Sequence, residues 1–147
     1  MLASGTPHAW RLDMAKAVVY VAEQLTWSET GAGPQGETGT IAADPARWGD
    51  VILSRSDAPS SYHLAVTLDD ALQGVTHVVR GSDLFHATSV HRLLQRLLDL
   101  PEPTYHHHRL IPGEDSRKLS KSNRDTGIAA FRDAGKTPAD IRAMIGL

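Results

Sequence analysis

The stretch from Thr76 to Ile111 does most to limit what this chain can fold into. "THVVRG" is β-prone, and from Thr88 to Leu100 the apolar residues Val90, Leu93, Leu94, Leu97 and Leu98 recur at i, i+3, i+4, i+7 and i+8, one face of an amphipathic helix. Thr88 is the expected N-cap, and Pro101 and Pro103 the expected stop. "TYHHHRLI" then reads as a second strand. Strand, crossover helix and strand at this spacing predict a βαβ unit, and with it an α/β class containing a parallel sheet.

The rest of the chain is read around that unit. Its 147 residues are about one domain's worth, enough to bury roughly two thirds of the unfolded surface. From Trp10 to Leu53, short extended runs ("WRLDM", "AVVYVAEQL", "VILS") flank the Gly-rich "SETGAGPQGETGT", expected to be a mobile loop, which predicts a small β-rich subdomain over residues 1–55. "SYHLAVTL" is read as a further strand, with Asp69 and Asp70 starting a single helical turn that Gly74 ends. Two short helices close the chain. "DTGIAAFRDAG" has Asp125 or Thr126 as cap, Ile128 and Phe131 inward and Gly135 as stop; "TPADIRAMIGL" has Thr137 as N-cap, Pro138 at the first helical position, and Ile141, Met144 and Ile145 on one face.

Composition excludes several classes. A net charge of -2 gives no global field for nucleic acid, so any RNA contact must rest on a local patch such as Arg109, Arg117, Lys118, Lys121 and Arg124. The absence of cysteine removes disulfides and thiolate zinc sites and fits a reducing cytoplasm. No apolar run is long enough to span a bilayer, and "MLASGTPHAW" lacks the features of a signal peptide, so a soluble chain without membrane contact is expected. "HHH" at 106 to 108 invites a metal reading, but neighbours on a strand point to opposite faces, leaving only His106 and His108 to share ligands, and no metal site is expected.

The local patch includes "RKLSKSN", where Lys118 and Lys121 stand three apart with Ser120 between them and Ser122 after. Ammonium groups, hydroxyls and backbone N–H groups suit a triphosphate, yet charge alone favours a solvated basic loop. Arg80 offers a planar fork for a carboxylate or for a structural ion pair, and Tyr62 a hydroxyl for a ligand or a ring for packing.

The pattern "KLSKS", Lys118, Leu119, Ser120, Lys121 and Ser122, resembles the second signature (KMSKS-type) motif of class I aminoacyl-tRNA synthetases. "SYHLAVTLDDALQGVTHVVRGSDL", "TSVHRLLQRLLDLPEPTYHHHRLI" and "RKLSKS" together resemble the second half of the glutamyl-tRNA synthetase catalytic domain. "PHAWRLDM", "LTWSETGAGPQG" and "DPARWGDVILSR" are similar to the segment between the two halves in the family's truncated glutamyl-Q tRNA(Asp) branch. The resemblance implies a Rossmann-like nucleotide-binding fold over residues 56–147 behind the inserted subdomain, with terminal helices. It implies that Tyr62 and Arg80 contact L-glutamate, that Lys118 to Ser122 bind ATP with its Mg2+, and that Lys121 is the catalytic cation on the phosphates. It further implies transfer of the activated glutamyl group to the queuosine base in the anticodon of tRNA(Asp).

The sequence departs from this family in places. The "HIGH"-type motif of its first half is not present, nor are the cysteines of the zinc site some members carry upstream, so zinc is not expected and a missing N-terminal half is. A chain with one side of the pocket is expected not to adenylate unaided. A remnant that binds nucleotide or RNA without chemistry, or part of an ordinary glutamyl-tRNA synthetase, are the competing readings. Ser116 and Ser82 occupy positions where the family usually has a glycine and often a charged residue, respectively.

Overall fold

The computed structural model describes residues 8–112 and 127–147, in two compact units divided between His108 and Arg109. The first unit holds β1 (Trp10–Leu12), α1 (Met14–Val21), β2 (Thr26–Glu29), β3 (Gly39–Ala42), β4 (Val51–Ser54), α2 (Tyr62–Leu72), β5 (His77–Gly81), α3 (Thr88–Leu97) and β6 (Thr104–His108). Strands β1 and β4 form an antiparallel ribbon. The other four form one mixed sheet in the order β3-β2-β6-β5, which joins strands from both sides of the sequence boundary drawn at residue 55.

The βαβ expectation holds: β5 and β6 pair in parallel, joined by α3. Helix α3 is buried continuously from Thr88 to Gln95, with Val90 and Leu93 fully enclosed, because it lies against β2 and is flanked by α1 and α2. Its start and stop differ from the sequence reading. Ala87 is the N-cap and Thr88 is already helical, its hydroxyl turned to Arg80. Asp99, with φ at +53°, leads the chain out of the helix before the prolines are reached.

Two strand expectations are corrected. "AVVYV" lies in α1, where the Asp13 side chain accepts the Lys16 N–H at 3.0 Å and Met14 and Ala17, three apart, turn into the core. "SYHLAVTL" forms α2, capped by Ser61, whose hydroxyl accepts from the Leu64 N–H at 3.3 Å. Asp69 and Asp70 therefore stand in the last turns of α2 rather than starting a turn, and Gly74, at φ +67°, follows its end. In both segments a side-chain oxygen satisfies amides that a helix start leaves orphaned, and this outweighs the weak β preference of a short β-branched run.

The Gly-rich stretch is in part a close-packed continuation of the sheet. Thr30 donates its N–H to the Tyr105 carbonyl at 2.8 Å and Ala32 to the His107 carbonyl at 3.0 Å, extending the β2–β6 pairing past Glu29. A Cβ on Gly31 would sit 2.3 Å from the His107 carbonyl oxygen, so this crossing requires glycine.

The second unit contains α4 (Ile128–Asp133) and α5 (Pro138–Met144). Thr137 caps α5 with Pro138 in the first turn, as expected, and Asp140 completes a reciprocal capping box. Arg109 donates to the Ile145 carbonyl. Helix α4 starts from Gly127, which has no side chain to cap it, and the expected caps Asp125 and Thr126 lie outside the described residues. Phe131 and Ile141 are half-buried, while Ile128, expected inward, and Met144 are exposed.

Candidate functional site

The site is organised by the register of two neighbouring strands. Arg80 on β5 stands opposite His107 on β6, so their side chains leave the same face of the sheet. Arg80 Nε donates to His107 Nε2 at 3.0 Å. Its Nη2 donates to Thr88 Oγ1 at 2.7 Å and to the Leu84 carbonyl at 3.3 Å, and Nη1 meets His91 Nδ1 at 3.1 Å. The guanidinium carbon also lies 5.1 Å from the Tyr105 ring centroid. Four hydrogen bonds and the Tyr105 ring thus hold Arg80 in place, and a guanidinium with five donors retains one Nη1 hydrogen.

Behind this hub is a buried ion. Glu29, at the end of β2, is 2% exposed. One carboxylate oxygen accepts the N–H groups of Gly31 and His107, each at 2.9 Å, and the other lies 2.5 Å from His107 Nδ1. Burial raises the affinity of Glu29 for a proton, but the hydrogen bonds from the His107 amide and ring and from Gly31 outweigh it, and the carboxyl stays below its ordinary range. Burial pushes His107 the other way, below an ordinary histidine despite Glu29, with Arg80 adding to the effect. A guanidinium always donates, so His107 Nε2 accepts, and its one proton sits on Nδ1, directed at Glu29. Glu29 therefore balances the charge of Arg80 through a neutral imidazole.

On the other side, His91 Nε2 meets His63 Nδ1 at 3.0 Å. Burial, then the charge of Arg80, brings the His91 pKa down to about 3. Tyr62, the first residue of α2, is half exposed, and its ring centroid lies 5.7 Å from that of His63 and 6.0 Å from that of His91. Tyr62 and His63 line an open cavity of about 480 Å³ together with Arg11, Trp48 and Arg55.

Of the residues singled out by sequence, Tyr62 and Arg80 thus meet around His91. Tyr62 does so from a helix N-terminus rather than from a strand. Lys118, Leu119, Ser120, Lys121 and Ser122 lie outside the described residues. Sequence reading missed Glu29, His63, His91 and His107. The alternation in "HHH" separates His107 from its neighbours, and it is the one turned inward, 1% exposed. His106 and His108 are exposed, and among the described residues no group of histidines and carboxylates could hold a metal ion.

Three comparisons bear on this geometry. Residues 35–147 match the family described as tRNA synthetases class I (E and Q), catalytic domain. The chain is 54% identical over 99 residues to the Glutamyl-Q tRNA(Asp) synthetase of Rhodobacter capsulatus, which covers 67% of this chain and 36% of that relative. It is 42% identical over 146 residues to the protein of the same name from Leptothrix cholodnii, covering 99% of this chain and 46% of the relative. The chain therefore spans less than half the length of these curated relatives. Its fold is similar to a glutamate tRNA ligase from Elizabethkingia meningosepticum solved with its amino acid, with a TM-score of 0.61 and 26% identity over 84% of this chain and 23% of that one.

Proposed function

The chain belongs to the class I (E and Q) tRNA synthetase family, and from that premise we propose that it supplies one side of a Rossmann-like catalytic domain that activates glutamate with ATP and passes it to the queuosine base in the anticodon of tRNA(Asp). A glutamate carboxylate oxygen forms a bond to the α-phosphorus of ATP, the α–β anhydride bond breaks and pyrophosphate leaves. An oxygen of the modified base then takes the glutamyl group and AMP departs. Tyr62 and Arg80 contact the amino acid. Lys118, Leu119, Ser120, Lys121 and Ser122 hold the nucleotide, with which Mg2+ is expected, and Lys121 counters charge as it builds on the phosphates.

The observation that carries this reading is the convergence of Tyr62 and Arg80 on His91 beside an open cavity, in a chain whose relatives bear the glutamyl-Q name. An ordinary glutamyl-tRNA synthetase is the second reading, favoured by a 44% identity to Glutamate--tRNA ligase 2 of Alkalilimnicola ehrlichii. The acceptor decides between them.

The test uses protein from the whole reading frame. Glutamate-dependent ATP–pyrophosphate exchange is expected, with glutamate delivered to queuosine-bearing tRNA(Asp) and not to its 3′ end. Lys121→Ala is expected to slow exchange about 100-fold, the size of a lost charge-stabilising contact. No exchange with glutamate overturns the proposal; charging of the terminal adenosine of tRNA(Glu) alone establishes the second reading instead.

A further inference from the structure

The hydrogen-bond chain through Arg80 fixes more than the position of that residue; it fixes where the protons are. A guanidinium has no acceptor, so at the 3.1 Å contact between Arg80 Nη1 and His91 Nδ1 the imidazole must accept. The single proton of His91 then resides on Nε2. At the next contact, 3.0 Å, that proton is donated to His63 Nδ1. A neutral imidazole that accepts at Nδ1 carries its own proton on Nε2, on the far side of the ring from His91. His63 is half-buried in the wall of the cavity of about 480 Å³, next to Tyr62, and among the described residues its ring makes a hydrogen bond through Nδ1, to His91.

We propose that His63 is a specificity-determining residue whose Nε2–H, held in that tautomer by Arg80 through His91, donates to a carboxylate oxygen of the bound amino acid. This rests on the glutamate reading of the site given above. Reversing the tautomer of His63 would set two N–H groups against each other at His91 or break the Arg80 contact, so the donor cannot become an acceptor. Either oxygen of a carboxylate satisfies such a group, whereas an amide does so only through its carbonyl oxygen; its –NH2 turned to His63 would set donor against donor and leave both unpaired. Arg11, Arg55 and Tyr62 line the same cavity and can donate to a carboxylate beside His63, while the Asp50 carboxylate also in the lining suits the ligand's ammonium; Arg80 reaches His63 only through His91. Burial and the nearby Arg80 charge keep His63 below an ordinary histidine pKa, consistent with a neutral ring.

The experiment is two-bond 15N–1H correlation NMR of the histidine rings in protein from the whole reading frame, titrated with L-glutamate and with L-glutamine, alongside calorimetry of His63→Leu and His63→Gln. The free protein is expected to show His63 protonated on Nε2 and unprotonated on Nδ1. Glutamate should shift the Nε2–H signal. His63→Leu should bind glutamate about tenfold more weakly with little change towards glutamine, and His63→Gln, which keeps a donor, should retain more affinity than His63→Leu. Where His63→Leu fails to fold, the shift in the wild-type signal decides. A proton found on Nδ1, an Nε2–H signal unmoved by bound glutamate, or a folded His63→Leu with wild-type affinity overturns the proposal. Wild-type protein that ignores glutamate overturns the parent reading, and this one with it.

Discussion

At the scale of the residue, the centre of this fold is a charge balance transmitted through a neutral ring. Arg80 cannot lose its proton and Glu29 sits where water cannot reach it, so each depends on the other through His107. Removing one member of a buried pair leaves the other uncompensated, a cost of about 3–5 kcal/mol. Glu29→Gln is nearly isosteric yet removes the charge and places an amide beside the His107 and Gly31 N–H groups; a loss of that order is expected, read from urea midpoints near neutral pH. Arg80→Lys keeps the charge but cannot reach His107, His91 and Thr88 together with one nitrogen. Its stability is expected to fall by about 2–3 kcal/mol, and the ring signals of His91 and His63 to lose their fixed tautomers in the same NMR experiment. Wild-type stability for either variant would mean that the polar cluster contributes nothing net.

At the scale of the element, the crossing of the Gly31 segment over β6 is the least forgiving feature. Gly31→Ala would drive a methyl into the backbone of His107, at 2.3 Å from its carbonyl oxygen and 2.7 Å from its nitrogen, where no side chain can move aside. We expect loss of more than 3 kcal/mol, or no folded protein, whereas Gly36→Ala, with no atom within 4 Å but a φ of +86°, should cost only about 1 kcal/mol of left-handed strain. Helix α2 offers a milder test: Ser61→Ala removes its cap and should cost about 1 kcal/mol in thermal or urea unfolding. These elements also show what the sequence made legible. Helix α3 was readable because its apolar stripe fits only a helix. Helices α1 and α2 were not, since "AVVYV" and "YHLAV" suit either state, and the deciding signals were the single oxygens of Asp13 and Ser61. Arg80 and Tyr62 are singled out by the family resemblance; Glu29 is not, because its partner is 78 residues away across a parallel strand pairing that local pattern does not encode.

At the scale of the whole molecule, the buried histidines make folding depend on pH. His91 has a pKa brought down to about 3 by burial, the charge of Arg80, and His63 and His107, against about 6.5 in an unfolded chain. Between those values the unfolded state binds the proton and the folded state does not, so stability is complete above about pH 6.5 and falls as pH drops towards 3. His63 and His107 are shifted the same way and add to the slope from the same upper limit. Glu29, held low, contributes stability present above its unfolded value and lost further down, as pH falls through its folded one. Asp70 opposes them: burial holds it above its ordinary value, against the pull of Arg80, so its protonation on acidification favours the fold. The histidines outnumber it and begin to act at higher pH, so the net slope is positive. From His91 alone the loss between pH 7 and pH 3 is at most about 5 kcal/mol, at 1.36 kcal/mol per unit. Urea denaturation at pH 7.5, 6.5, 5.5 and 4.5 should show midpoints that are level between the first two and fall with each later step. His91→Gln, which cannot take up a proton, should flatten that fall while lowering the plateau. A profile that is flat from pH 7.5 to 4.5, or unchanged in slope by His91→Gln, would show that the His91 ring is not held neutral against Arg80, and would remove the tautomer relay on which the donor role of His63 depends.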